Sequence, residues 1–110
     1  MNFRDLLLKK FPSIYKPNCD ISTQEGWNNI ILQLSEKIMD SQKNIQVSQV
    51  KEKFGELRFY YRPHDADIDL LISDAERQAS TTCEKCGKQG RLLNNCGWMS
   101  VLCQSCWTKE

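Results

Sequence analysis

Cys83-Glu84-Lys85-Cys86-Gly87 and Cys103-Gln104-Ser105-Cys106 hold two C-x-x-C pairs with sixteen residues between them, and this spacing decides how the last third of the chain folds. Two thiolates three residues apart can reach one ion from a tight turn. Gly87 directly after the first pair permits the positive φ that such a knuckle needs. Two knuckles side by side close a tetrahedral Zn²⁺ site with sulfur at about 2.3 Å. Between them Arg91-Leu92-Leu93 and Trp98-Met99-Ser100-Val101-Leu102 read as short strands, and Asn94-Asn95-Cys96-Gly97 favours a hairpin turn. The segment is therefore expected to be a zinc-ribbon-like hairpin. Its one Zn²⁺ would be held by Cys83, Cys86, Cys103 and Cys106, and four thiolates leave no open coordination position, so the metal is structural. Its binding would contribute on the order of 10 kcal/mol to folding this segment. A C-x-x-C redox site calls instead for one pair beside a βαβ unit; the sequence has two pairs and no such unit is expected.

Working outward, five of the six cysteines lie in the last 28 of 110 residues. An extracellular disulfide framework would spread over the chain and accompany a signal peptide. Met1 to Tyr15 carries Asp5 within its apolar stretch and has no small-residue cleavage site, so no secretory signal is expected and the location is read as cytoplasmic. No apolar run approaches the roughly twenty residues of a membrane span. Cys96 could be a substitute ligand or a free thiol, and as a turn residue it reads first as a bystander; Cys19 reads as a half-buried thiol. At 12.8 kDa, with 40% hydrophobic and 26% charged residues, the chain is an ordinary soluble globule that is too small to rely on apolar burial alone.

Upstream, Phe3, Leu6 and Leu7 predict a short helix from Asn2 to Lys10, and residues 12–21, with two prolines and no periodicity, predict a loop. Ser22 to Glu25 fits a capping box. Trp27, Ile30, Ile31, Leu34 and Ile38 then form a core-facing stripe on a helix from 23 to 40. Residues 45–62 predict a β-hairpin turning at Phe54-Gly55, with Leu57, Phe59 and Tyr61 on one face and Arg58, Tyr60 and Arg62 on the other. Asp67 is expected to cap a third helix whose stripe is Ile68, Leu71, Ile72, Ala75 and Ala79. The fold class is α+β: two or three helices packed on a small antiparallel hairpin or sheet, followed by a C-terminal zinc ribbon. Residues 1–80 form the α+β portion and 81–110 the ribbon, and with no linker before Cys83 the two are expected to dock as one compact unit.

Val50-Lys51-Glu52-Lys53-Phe54-Gly55-Glu56-Leu57-Arg58-Phe59-Tyr60-Tyr61, then Ile68 to Ala79, then Thr82 to Gly87 and a late Gly97-Trp98, resemble a group of small uncharacterised bacteriophage and bacterial proteins. Those proteins place a KEKFGxLRFYY hairpin before an acidic-capped helix and a C-terminal cysteine pair. The likeness covers about 45–110, and more loosely Gly26-Trp27. It implies an accessory protein that acts on a host component, and no particular activity.

Net charge is +1, divided as +1 over 1–44, +2 over 45–64, −4 over 65–80 and +2 over 81–110, which is no footprint for nucleic-acid binding by bulk charge. A local patch is available where Lys51, Lys53, Arg58 and Arg62 accompany Tyr60 and Tyr61, since basic residues interleaved with aromatics can track phosphates and stack bases. The simpler reading is a solvated strand face. Lys85, Lys88 and Arg91 around the first knuckle could also contact phosphate, and the simpler reading is that they offset the thiolate charge. His64 among Asp65, Asp67 and Asp69 offers a hydrolytic metal site, against which stands the ordinary preference for carboxylates in a helix's first turn. No P-loop, G-x-S-x-G, H-E-x-x-H or G-x-G-x-x-G is present. The leading expectation is thus a non-enzymatic, zinc-stabilised binding protein engaging a host or phage protein, for example as an inhibitor of a host defence or regulatory component. Lys51, Lys53, Arg58, Tyr60, Arg62, Asp65, Asp67, Asp69, Asp74, Glu76 and Trp107 are its candidate partner-binding residues. A nucleic-acid-binding ribbon is the alternative, and a metal-dependent nuclease the third.

Overall fold

A computed structural model describes residues 2–108. In chain order these form α1 (Phe3–Lys10), β1 (Tyr15–Ser22), a 3-10 turn (Glu25–Trp27), α2 (Asn28–Asp40), β2 (Gln46–Lys53), β3 (Glu56–Arg62), α3 (Ala66–Ala79), β4 (Arg91–Asn95), β5 (Trp98–Leu102) and α4 (Gln104–Thr108). The class is α+β, as expected, with a three-stranded sheet ordered β1-β2-β3 and a separate β4-β5 ribbon. The stripes of α2 and α3 are its core: Trp27, Ile31, Leu34, Ile38, Ile68, Ala75 and Ala79 are buried against Val47, Val50, Leu57 and Phe59. Among them Tyr15 Oη and Ser35 Oγ share a 2.6 Å hydrogen bond, and Ser35 Oγ donates to Ile31 O at 2.7 Å. These bonds satisfy the polar atoms that burial takes from water.

Three local expectations are corrected. Residues 12–14 are a turn, but the rest of the expected loop is not one: Tyr15–Ser22 is an edge strand, parallel to β2 through Asp20↔Gln49, Ile21↔Val50 and Ser22↔Lys51. Its register is irregular between Tyr15 and Asp20, which is where Pro17, lacking an N–H, is tolerated. The carbonyls of Pro17 and Cys19 accept hydrogen bonds from the Arg4 guanidinium of α1 instead of from a strand. The sheet is therefore mixed, and β1-α2-β2 is the βαβ unit that the sequence reading did not anticipate; the cysteine pairs lie outside it. The capping box does not form, because Ser22 is paired with Lys51 and the chain enters α2 through the 3-10 turn, with the Asn28 N–H bonded to Glu25 O. Asp65, not Asp67, caps α3, its Oδ1 accepting from the Asp67 and Ile68 N–H groups at 2.9 and 3.2 Å.

Both hairpins turn where expected, through two residues of positive φ: Phe54 (55°) and Gly55 (79°), Cys96 (53°) and Gly97 (87°). That pair of signs is the type I′ turn, whose twist matches that of the strands it joins. Val101 of β5 belongs to the main core. Leu102, Cys83 and Cys103 form a second, small core with Leu93, Cys106 and Trp107 packed against it.

Candidate metal centre

Each cysteine pair sits in its own hydrogen-bonded turn. In the first, the Cys83 N–H donates to Lys88 O at 2.7 Å and the Gly87 N–H to Cys83 O at 2.9 Å. Gly87, at φ 83°, closes the turn in a conformation that costs other residues roughly 1–2 kcal/mol. In the second, α4 begins inside the pair: the Trp107 N–H donates to Cys103 O at 2.9 Å and the Cys106 N–H points at Cys103 Sγ from 3.4 Å. Gly90 lets the chain leaving the first turn pass the second, because a Cβ there would lie 2.8 Å from the Leu102 carbonyl carbon.

The four sulfurs converge. One ligand atom from each of Cys83, Cys86, Cys103 and Cys106 lies within 4.8 Å of all the others, and the Cys86 and Cys103 sulfurs are 3.5 Å apart. A tetrahedron with metal–sulfur bonds of about 2.3 Å has edges of about 3.8 Å, so the cluster fits one ion of that kind. The protonation energetics agree. Burial pushes the Cys83 thiol up, but the backbone N–H groups of Cys103, Cys86 and Lys85 outweigh it and bring the thiol down to about 6. Cys103 is lowered too, first by the Cys106 N–H. Cys106 is pushed up to about 12, first by its hydrogen bond with Cys103. Thiolates this close cannot all ionise until a cation offsets their charge.

Two residues to which the sequence assigns no role, Gly26 and Glu84, hold this centre in place. Gly26, in the 3-10 turn, has backbone so near the first cysteine turn that a Cβ would sit 2.0 Å from Cys83 O. Its N–H donates to Glu84 O at 2.9 Å, and the neighbouring Trp27 Nε1 donates to Thr82 O at 2.9 Å. Glu84, between the first two ligands, is 3% exposed. Its backbone N–H donates to Val101 O at 2.9 Å and its Oε1 accepts the Val101 N–H at 3.0 Å. One residue thereby ties the first cysteine turn to β5. A Cβ on Gly55 would meet Leu92 Cδ1 at 2.5 Å, so the β2-β3 turn abuts the ribbon as well.

The remaining predicted residues are dispersed. Asp65 is engaged in capping and pairs with Lys43 at 3.3 Å, while Asp67 meets the same ammonium at 3.4 Å. Asp69 accepts from Tyr61 Oη at 2.5 Å and contacts His64 Nε2 at 2.6 Å. Accordingly the Asp65 carboxyl lies below its ordinary value, first through the Ile68 N–H, and Asp69 likewise, first through Tyr61. Among the described residues only the four cysteines converge as a metal-ligand group. Asp74 contacts Lys37 at 3.8 Å and Arg77 at 3.5 Å, and burial raises the Glu76 carboxyl. On the hairpin the Lys51 ammonium lies over Tyr60 at 5.9 Å, Lys53 lies over Phe54 at 5.7 Å, and Arg58 pairs with Glu56 at 2.5 Å. Arg62 is exposed, as is Cys96, whereas Cys19, expected to be half-buried, is buried in the main core. Trp107 is half-buried beside the second pair, and Trp98 is 75% exposed.

No family model, curated protein or solved structure matches the chain. Among the described residues no helix is long and apolar enough to cross a membrane. Fold and site together define a small α+β protein with a C-terminal four-cysteine ribbon able to hold a metal ion.

Proposed function

We propose that the protein is a non-enzymatic binding module whose ribbon is held by one structural zinc and which engages another protein in the cytoplasm. The observation that carries this reading is the convergence of four sulfurs within 4.8 Å of one another. A tetrathiolate shell leaves no position for substrate or water, so its ion would stabilise the ribbon and not catalyse. His64, Asp65, Asp67 and Asp69, the groups with acid–base capacity, are engaged with one another and with Tyr61 and Lys43. The resemblance to phage proteins favours a host component as the partner, for example a defence or regulatory protein that the module inhibits.

A second reading, nucleic-acid binding, is favoured by the Lys51–Tyr60 stack and the exposed Arg62 beside it. Pull-down with the full, zinc-loaded chain, with and without nuclease treatment, separates the two. Capture of a defined protein that survives nuclease supports the first. Capture lost on nuclease treatment, together with oligonucleotide binding that weakens steeply with salt, contradicts it and supports the second.

A further inference from the structure

The two long edges of the ribbon differ. In a hairpin closed by two residues the pair flanking the turn exchanges both hydrogen bonds, so Asn95 and Trp98, Leu93 and Ser100, and Arg91 and Leu102 bond across the ladder. Leu92 and Asn94 on β4, and Met99 and Val101 on β5, therefore direct their N–H and C=O groups outward. On the β5 edge Glu84 takes both groups of Val101. On the β4 edge the Gly90 N–H donates to Thr81 O at 2.9 Å. Beyond it the backbone groups of Leu92 and Asn94 have no partner among the described residues, and Leu92 is 49% exposed.

Next to this edge, Arg91, Leu93, Leu102, Gln104 and Trp107 line a cleft of about 270 Å³. That volume is below the roughly 300–1,000 Å³ of small-molecule sites and suits one or two side chains. Its aliphatic lining residues are Leu93 and the buried Leu102. Beside it the guanidinium of the exposed Arg91 makes no ion pair or hydrogen bond among the described residues. Trp98 lies further along the same ribbon face, which alternation assigns to Trp98, Ser100 and Leu102. An open strand edge offers main-chain donors and acceptors that match a peptide backbone, which a nucleic acid does not supply.

From this combination we propose that the β4 edge and the adjoining cleft form a peptide-docking site. It takes an extended segment of a partner protein by strand addition, with one apolar side chain in the cleft and an acidic residue against Arg91. This inference rests on the protein-binding reading above and moves the contact surface from the β2-β3 hairpin and α3 to the ribbon.

The test is to pan a display library of random twelve-residue peptides on the zinc-loaded full chain and then titrate a synthetic enriched peptide into ¹⁵N-labelled protein. The expected peptides carry an apolar residue flanked by Asp or Glu, and they shift the amides of Leu92 and Asn94 and the indole of Trp107. Arg91→Glu is expected to weaken binding by about tenfold or more, as is Leu92→Pro, which removes an edge N–H. Zinc content equal to wild type verifies that each variant is folded; Arg91→Glu alone decides the matter if Leu92→Pro fails that check. Peptides that shift Lys51, Arg58 and Tyr60 instead, and bind Arg91→Glu as tightly as wild type, overturn the site while leaving the protein-binding reading intact. A failure to enrich any peptide also overturns it, and the nuclease-treated pull-down then judges that reading separately. Sedimentation showing a dimer that Arg91→Glu dissolves overturns it as well, by assigning the edge to a second copy of the chain.

Discussion

Replacing Gly26 with alanine adds one methyl group where two backbone segments meet, and its cost can be worked from the geometry. The Cβ would lie 2.0 Å from Cys83 O, 2.5 Å from the Glu84 carbonyl carbon and 2.7 Å from Glu84 O. Contacts shorter than 3.0 Å are essentially never made by a real Cβ, so the 3-10 turn and the first cysteine turn must separate by about 1 Å. A movement of that size breaks the 2.9 Å bond from the Gly26 N–H to Glu84 O and the 2.9 Å bond from Trp27 Nε1 to Thr82 O. Each contributes about 1 kcal/mol, and the indole N–H, left without a partner, costs more. With an overpacking term of about 1–3 kcal/mol, the total is roughly 3–5 kcal/mol, a large share of the stability of a small domain. Urea unfolding at fixed zinc concentration measures it, and hydrogen exchange is expected to show lost protection over residues 83–88. Gly97→Ala is the control: nothing lies within 4 Å of its Cβ, so the positive φ alone should cost about 1–2 kcal/mol. A Gly26→Ala protein within about 0.5 kcal/mol of wild type, or less destabilised than Gly97→Ala, refutes the claim that this backbone contact docks the ribbon.

Other substitutions test the surrounding contacts. Glu84→Ala leaves the Val101 N–H without its acceptor and should cost about 1–3 kcal/mol in urea unfolding, whereas Glu84→Gln keeps an acceptor and should cost clearly less; equal losses would mean that the bond to Val101 is not what matters. Tyr61→Phe removes the hydroxyl shared by Asp69 Oδ1, Asp65 O and the Asp65 N–H and should cost about 1–2 kcal/mol; an unchanged midpoint would contradict that network. Because the Asp65 carboxyl is held below its ordinary value by the Ile68 N–H first, its stabilising contribution is full above the unfolded value of about 4 and is lost as pH falls through the lower folded value. The deficit of Asp65→Ala relative to wild type should therefore be largest at neutral pH and shrink toward pH 3, and a deficit of constant size would show that the carboxylate charge plays no part.

The legible parts of this protein are those in which chemistry is local or periodic. Four cysteines at C-x-x-C spacing point to a single ion whatever the fold around them. Ile30, Ile31, Leu34 and Ile38 announce their helix because burial on one face repeats every three or four residues. Strand β1 was hidden for the opposite reason: its pairing is made with residues about thirty positions away, its register is broken around Pro17, and its outer carbonyls are answered by a side chain of α1. Ser22 and Glu25 look like a capping box only until Ser22 is drawn into the sheet by Lys51. Gly26, named only in the looser part of the resemblance, and Glu84 showed nothing of these structural roles. A glycine needed for close backbone approach looks like any other glycine, and a glutamate between two ligands looks like a solvated spacer until Val101 is brought to it. The acidic start of α3 is at the surface as read, yet Asp65 and Asp69 are engaged there as a cap and in a Tyr61–Asp69–His64 network.

The central claim is the tetrathiolate centre, and zinc K-edge X-ray absorption on the purified full chain, together with metal analysis, tests it most directly. The account predicts about one zinc per chain with four sulfur neighbours at about 2.3 Å. It also predicts that Cys103→Ser loses a sulfur neighbour and leaves residues 81–108 open to protease. Clearly less than one zinc per chain, or a shell containing nitrogen or oxygen in the unmutated protein, would contradict it.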